Sequence, residues 1–489
     1  MASLNVLLLP EPGSGHLMSL IEAGKRLLGH GAGGDDNLGR EFTVTVLVVQ
    51  PPTPESASEV GAHVWRVAAS GIGVRFHHLP AVDPPADCAG NLQEFKSRYM
   101  ELYKPHVAAA ALELGAAVLV VDFFATTVLD VALELAVPTY VYFTSTAALL
   151  ALMLRLPALD ETVAVDFETF EGTVDVPGLP PVPAGSIPGF LGRKDSPNFT
   201  WFVYHGRRFM DADGIIVNTV TELEPGLLSA IAEGRCVPGR PAPSLYPIGP
   251  VLNLGVENAS DDEACVRWLD AQPRASVVFL CFGSLGWFDA AKAREVATGL
   301  ERSGHRFLWA LRGPPAAGSR HPSDADLDEL LPTGFLERTK DRGLVWPRWA
   351  PQKAVLAHRA VGGFVTHCGW NSTMESLWHG VPLAPWPLYA EQHLNAFELV
   401  SVMGVAVAMQ VDRRRDNFVE AAKLERAVRA LMGGGEEGRK AREKAAEMKA
   451  ACRKAVEEGG SSYAALERLR DAIRKGARAT TADSKAPLS

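Results

Sequence analysis

The sequence predicts an α/β protein made of two doubly wound parallel-sheet halves. Short apolar runs of strand type alternate with apolar residues at helical spacing, and they do so in two separate series. Each series opens with a strand, a Gly-containing loop and a helix, first over residues 5–28 and again over residues 276–303. Between the two lies a Pro-rich, then polar and acidic stretch, residues 238–263. The length of 489 residues suits two or three domains of ordinary size, and an apolar content of 47% suffices for large cores.

In the first series, residues 5–9 read as a buried strand and residues 11–15 (Glu-Pro-Gly-Ser-Gly) as a tight loop. Leu17, Leu20, Ile21, Gly24, Leu27 and Leu28 then fall on one helical face. Residues 29–40 read as a mobile Gly/Asp/Asn loop. Strands follow at 42–49 and 74–79, a helix at 92–117, a strand at 118–121 ending on Asp122, a helix at 128–135 and a strand at 139–143 ending at Thr144. In open parallel sheets ligands gather at the carboxyl ends of the strands. His16, Asp122 and Thr144 each lie just past such an end, so they are expected at one edge. From about 157 to 213 the pattern weakens into Pro, Gly and aromatic residues. A strand at 214–217 and a helix opening at Pro225 restore it.

The second series has strands at 276–282, 306–311, 343–345 and 361–366, and a late strand at 405–409. Helices are read at 290–303 and from near Thr373 to Gly380. Residues 283–286 form a Gly/Ser loop, and residues 313–328 read as loop. From about 418 to 475 the chain reads as helix broken at 433–435 and 459–460. The expected domains are 1–250 for the first unit, 251–272 for a linker and 273–460 for the second unit. Residues 461–476 are a last helix and 477–489 a disordered tail.

Charge and composition exclude several classes. The net charge of −9 is interspersed rather than clustered, which argues against nucleic acid and against a basic membrane anchor. No run approaches the roughly 18 apolar residues of a membrane span, and the N-terminus lacks the basic region of a secretory signal. Six scattered cysteines with no CxxC pair argue against disulfides and zinc and for a reducing, cytoplasmic setting. Gly13-x-Gly15 lacks the third Gly of a dinucleotide fingerprint, since Met18 stands there, so an NAD-dependent oxidoreductase is disfavoured. Two Asp-x-Asp pairs, Asp211/Asp213 and Asp324/Asp326, read as solvated acids rather than metal ligands. No metal and no cofactor are expected.

Residues 349–392 carry the strongest signal: WAPQKAVLAHRAVGGFVTHCGWNSTMESLWHGVPLAPWPLYAEQ. A buried strand runs into a turn with His367, Gly369, Asn371 and Ser372, and a helix follows. A helix N-terminus presents unpaired N–H groups and a positive dipole end, and Gly permits close approach, so this is a phosphate-binding arrangement. The opening Trp349, the HCGWNS core and the closing Glu391-Gln392 resemble the signature box of plant family 1 glycosyltransferases that use UDP-sugars. The resemblance extends over nearly the whole chain. It implies the GT-B fold, two Rossmann-like domains facing across a cleft, with the last helix crossing back onto the first domain.

The resemblance assigns roles by position. Trp349 stacks on uracil and the Ala350 backbone bonds its edge. Gln352 and Glu375 contact the ribose. His367, Asn371 and Ser372 hold the diphosphate, helped by Ser284. Trp370, Glu391 and Gln392 read the sugar, with Thr144 at its 6-hydroxyl. A terminal Gln392 is the pattern associated with glucose donors, so UDP-glucose is the expected co-substrate. His16 is the candidate general base and Asp122 its carboxylate partner. The helix dipole at His16 is expected to keep its ring neutral. Spacing alone leaves a plainer reading open, in which His16 caps a helix and Asp122 ends a strand. The family implies the catalytic one. For an acceptor, Gly15, Phe123, Phe124, Phe143, Phe199, Trp201, Phe202 and Tyr389 suggest a flat apolar ligand with a hydroxyl.

The expected function is that of an inverting O-glucosyltransferase acting on a flavonoid or other phenolic, a monomer whose partners are small molecules. Alternatives are C- or N-transfer, a terpenoid or hormone acceptor, or a nucleotide-sugar binding protein without turnover.

Overall fold

A computed structural model describes residues 3–29, 41–86, 88, 91–163, 165–253 and 264–483. The expected loop at 30–40, the acidic stretch 254–263 and the tail from 484 lie outside them. The chain divides into two compact units. One comprises Met1–Pro181, Phe190–Asn253 and Arg453–Ser489, and the other Val182–Gly189 and Leu254–Cys452.

The first unit is built on a seven-stranded sheet. Its strands stand in the order Val74–His78, Phe42–Val48, Leu4–Leu9, Ala116–Asp122, Thr139–Phe143, Gly214–Val217 and Ser244–Pro247. Every pairing is parallel. The order reverses between Leu4–Leu9 and Ala116–Asp122, where helical connections leave to opposite sides, and such a reversal opens a crevice at the strand ends. The second unit repeats the design with five parallel strands, Gly343–Trp346, Arg306–Ala310, Val277–Cys281, Val361–Thr366 and Leu383–Pro385. Its order reverses between Val277–Cys281 and Val361–Thr366. Both units are thus Rossmann-like, and the fold is GT-B.

Each core is a sheet face covered by helices. In the first unit Val6, Leu8, Val44, Val46, Val118 and Val120 pack with Leu17, Leu20 and Ile21 of the helix Ser14–Leu27. The helix Ser461–Asp483 joins the same core through Ala465, Leu466, Leu469 and Ile473. Arg470, 3% exposed, donates to the carbonyl of Arg26 at 2.5 Å, a carbonyl at the end of the first helix. Arg474 makes a two-point ion pair with Glu41. In the second unit Val278, Leu280, Trp309, Val365 and Trp386 form the centre with Leu300 and Leu424. All six cysteines are free thiols. No helix among the described residues is long and apolar enough to cross a membrane.

Several expected elements differ, each for a physical reason. The helix expected over 92–117 is two helices, Leu92–Leu102 and Lys104–Glu113. Pro105 lacks the N–H that would continue the first, and it starts the second. Pro54–Ala69 is a helix absent from the expected set. Its buried stripe is only Val60, His63, Val64 and Val67 amid small residues, a thin periodic signal. The weak region 157–213 holds the whole helix Pro197–Arg208 and the end of Ala147–Thr162. Ala147–Leu154 is buried on all sides and has no polar face to reveal a period. Residues 313–328 contain a hairpin, Arg312–Pro315 with Pro322–Asp324, and a turn of helix at Leu327–Leu330. Residues 405–409 make one bridge, Ala406 with Leu383, instead of a strand. Pro385 has no N–H to extend that ladder. The last helix runs to Asp483, so residues 477–483 are helical rather than tail.

Pro157 has a further effect. Inside its helix it leaves the carbonyl of Met153 without the usual partner four residues on. Gly206 of the helix Pro197–Arg208 packs onto that carbonyl, and a Cβ at 206 would stand 2.2 Å from the oxygen. Gly206→Ala is therefore expected to destabilise the protein by about 1–3 kcal/mol, as overpacking does. In urea unfolding, Gly61→Ala should be neutral or stabilising by up to about 1 kcal/mol, since residue 61 is helical and its added Cβ meets nothing.

Candidate active site

In the first unit the site grows from the reversal in strand order. Leu9 pairs with Val121, so the segments that follow leave the sheet side by side. One makes the turn Pro10–Gly13 and enters the helix Ser14–Leu27, with His16 in its first turn. The other ends on Asp122. His16 Nδ1 lies 2.7 Å from Asp122 Oδ2 although the residues are 106 apart in sequence. The other oxygen, Oδ1, accepts from the backbone N–H of Phe124 at 2.9 Å. Asp122 is wholly buried, and with both oxygens engaged it has one orientation. It accepts a hydrogen bond from Nδ1–H, which leaves Nε2 of neutral His16 as the lone pair.

Phe123 and Phe124 close around the imidazole, with ring centroids 5.4 and 5.8 Å away. Phe143 packs on Phe123, and Phe202 on Phe124. Gly15 is exposed, and a Cβ there would meet nothing within 4 Å. Trp201 reaches this group through His205, whose ring nitrogens are held by Ser97 and Thr126 hydroxyls at 2.8 and 2.7 Å. Burial drops the His205 pKa to about 3, so it is a neutral tie between helices. Phe199 is placed elsewhere. It packs against Phe167 under Lys194, 2% exposed, and is a core residue.

Two residues absent from the expected set complete the cluster. Glu11, 1% exposed, holds Oε1 3.9 Å from His16 Nε2, and Lys96 Nζ stands 3.1 Å from the same oxygen. Burial by itself would lower the His16 pKa. The carboxylates of Asp122 and Glu11 outweigh it and raise the pKa above the ordinary value, with Lys96 opposing. The expected neutralising effect of the helix dipole is thus not what governs the ring. Glu11 was visible in sequence as a lone acid in the apolar run LLLPEPG. Lys96 carried no such signal.

In the second unit the loops after Val277–Cys281 and Val361–Thr366 meet at the reversal. The helix begins at Trp370, not near Thr373, so Asn371 and Ser372 occupy its first turn. Gly369 precedes it and no side chain caps it, which leaves the first N–H groups for an anion. Gly283 and Gly369 flank the His367 ring. A Cβ on either would come within 2.6 or 2.5 Å of Nε2, so glycine is required at both. Burial lowers the His367 pKa to about 4, and the ring is a neutral hydrogen-bonding group. Ser284 is exposed on the facing loop, and Cys368 takes a left-handed backbone with φ of 67°. Asn395 stabilises that turn by donating to the Cys368 carbonyl at 2.9 Å.

Gln352 donates to Ser372 Oγ at 3.0 Å and to Glu375 Oε2 at 2.7 Å, which ties the ribose and phosphate candidates together. Trp349 presents an indole that is 60% exposed, while Ala350 is buried behind it. Trp370 is different. It is 4% exposed, so its ring belongs to the core, and it opens the helix. Gln392 is 2% exposed and its Oε1 accepts from the N–H groups of Leu388 and Tyr389. Its side chain also hydrogen-bonds the Tyr389 hydroxyl. Glu391 begins the helix Gln392–Ser401, and Tyr389 is partly exposed before it. Asn417, in a left-handed conformation, ties this loop down. It donates to Leu388, accepts from Trp386, and meets His393 Nε2 at 2.8 Å. Thr144 follows the strand Thr139–Phe143 in the first unit, at the same sheet edge as His16 and Asp122.

Residues 253–435 match the family model described as UDP-glucoronosyl and UDP-glucosyl transferase. A malvidin galactosylase of Oryza sativa subsp. japonica is 57% identical over 98% of this chain and 99% of its own. An anthocyanidin 5,3-O-glucosyltransferase of a Rosa hybrid cultivar is 37% identical over 95% of this chain and 98% of its own. Among solved structures, Phytolacca americana UGT2 complexed with UDP-2fluoro-glucose and pterostilbene superposes with a TM-score of 0.84 at 35% identity. That match covers 96% of this chain and all of the other. Fold, site and similarity over nearly the full length agree, and the chain belongs to the plant family 1 UDP-glycosyltransferases.

Proposed function

We propose that the protein transfers a hexose from a UDP-sugar to a hydroxyl of a small aromatic acceptor, with inversion. The observation that carries this is the hydrogen bond between His16 Nδ1 and a fully buried Asp122, with Phe123 and Phe124 beside the imidazole. His16 Nε2 takes the acceptor's proton as its oxygen attacks the anomeric carbon, and Asp122 stabilises the imidazolium that forms. UDP leaves as the phosphate group held by His367, Ser372 and the N–H groups at the start of the helix Trp370–His379, with Ser284 and Asn371 contributing hydroxyl and amide donors. Trp349, Gln352 and Glu375 hold the nucleoside, and Gln392, Glu391 and Thr144 the sugar. An α-linked donor then gives a β-linked product.

A phenolic acceptor fits best. Phenols have pKa values near 10 and yield a proton to imidazole more readily than alcohols do. The flanking Phe123 and Phe124 suit a flat ring. One relative is named for malvidin and another for anthocyanidin, and the similar solved complex holds pterostilbene. For the donor, Gln392 supports glucose, whereas the 57% identical relative is named for galactose. Both donors therefore belong in the same assay. No metal is invoked. Asp326 caps a helix, Asp213 accepts from the Thr139 N–H, and Asp211 pairs with Arg208, so both Asp-x-Asp pairs have structural partners. Six free thiols support a reducing, cytoplasmic setting.

His16→Ala is expected to lower O-transfer by about 10²–10⁴-fold while UDP affinity by calorimetry stays unchanged. Retained transfer would remove His16 from its role. With UDP-glucose and UDP-galactose offered together to a flavonoid panel, product mass and sugar analysis should give one β-hexoside in clear excess, glucose by the Gln392 reading. A galactoside in excess would overturn that choice but not the reaction. Chelation with EDTA should leave the rate unaltered, and loss of activity restored by manganese would refute the metal-free route.

A further inference from the structure

Glu11 is in an expensive position. A carboxylate that is 1% exposed costs several kcal/mol unless it is paired and hydrogen-bonded. Oε1 has Lys96 at 3.1 Å, but Oε2 is buried with no hydrogen-bond partner. An apolar side chain would fill this place between Pro10 and Pro12 at lower cost, so packing does not explain the residue. The backbone is shaped around it. Gly13 lies against the carboxylate, and a Cβ there would come within 2.1 Å of Oε1. Lys96 is fixed in turn over the face of Phe124, 5.0 Å from its centroid. The charge is thereby held 3.9 Å from His16 Nε2, the nitrogen that Asp122 does not touch.

We propose that Glu11 is a positioning residue of the reaction, a second carboxylate that faces the Nε2 side of His16, and that Lys96 sets its strength. It rests on the reading of His16 as general base. When Nε2 takes the acceptor's proton, the imidazolium lies between Asp122 on one edge and Glu11 on the other. Attraction at about 4 Å favours the protonated ring, so Glu11 makes His16 a stronger base and stabilises the charge that develops. The same attraction also reduces the fraction of enzyme with a free lone pair at low pH. The Lys96 ammonium acts against it and keeps the ring available. The charged groups acting on the ring are these three, Asp122 from the strand end, Glu11 from the turn and Lys96 from the helix Leu92–Leu102. Phe123 and Phe124 supply uncharged walls. The directions of the His16 and Glu11 shifts, the first upward and the second downward through Lys96 and His16 despite burial, agree with this arrangement.

Two substitutions move the balance in opposite directions. In Glu11→Gln the His16 pKa falls, and the acidic limb of kcat/KM moves to lower pH by about half to one unit, with a lower plateau. In Lys96→Met the limb moves to higher pH by a similar amount, and Lys96→Arg restores it. Circular dichroism checks folding, and the two variants are independent of each other in that respect. The His16 pKa is read directly by NMR titration of its Cε1–H in the full-length enzyme. An NMR pKa that stays put in both variants, or moves the same way in both, overturns the proposal. If the NMR pKa moves as expected but the rate limb does not follow, Glu11 keeps its place and the assignment of His16 as the base fails instead.

Discussion

The hydrogen bond from His16 to Asp122 depends on a pairing made far from any side chain. Leu4–Leu9 and Ala116–Asp122 are neighbours only because the chain first lays two strands on one side and then returns to the other. Parallel pairing puts Leu9 beside Val121, so both strands end level. A slip of one residue would turn every side chain to the opposite face and carry Asp122 away from the helix that holds His16. The register is fixed by Val6 and Leu8 on the one strand and Val118 and Val120 on the other, all buried in one core. The geometry of the candidate base is thus enforced by apolar packing in the sheet below it.

The second unit uses the same rule with different materials. The reversal again leaves two loops level, but the residues that meet are a histidine and two glycines. His367 fits only because Gly283 and Gly369 lack side chains. In the first unit electrostatics dominate, with two carboxylates and an ammonium around one imidazole. In the second, shape and backbone dipoles dominate, with a neutral histidine and an uncapped helix end. This division suits a weak acid handled on one side and a polyanion on the other.

Much of this was legible in the sequence because the residues concerned sit at punctuation points. His16, Asp122, Gly283 and His367 each follow an apolar strand that was plain to read, and the order of strands implied where such ends collect. The elements that escaped had weak or misleading patterns. Ala147–Leu154 is apolar all round, so that part of its helix shows no period, and Pro157 reads as a breaker although the helix continues past it to Thr162. Trp370 looked like a sugar contact by position, yet its ring is buried, and exposure is not written in local sequence. Phe199 and Phe202 lie one helical turn apart on the same helix, yet their ring contacts differ, Phe202 packing on Phe124 and Phe199 on Phe167. Lys96 was out of reach for another reason. Its partner is 85 residues away, and only tertiary structure joins them.

The docking of the last helix bears on how the protein is made. Ala465, Leu469 and Ile473 fill the same core as Val6 and Val44, and Arg470 closes the end of the helix Ser14–Leu27 through the Arg26 carbonyl. Synthesis runs from the N-terminus at about 5–20 residues per second. The first strands therefore wait roughly 25 seconds to a minute and a half before the final segment is made. The second unit, closed between Leu254 and Cys452 apart from one short segment already made, is finished first. On the ribosome the half that starts the chain is the half completed last, because its core lacks Ala465, Leu469 and Ile473 until the final segment is made.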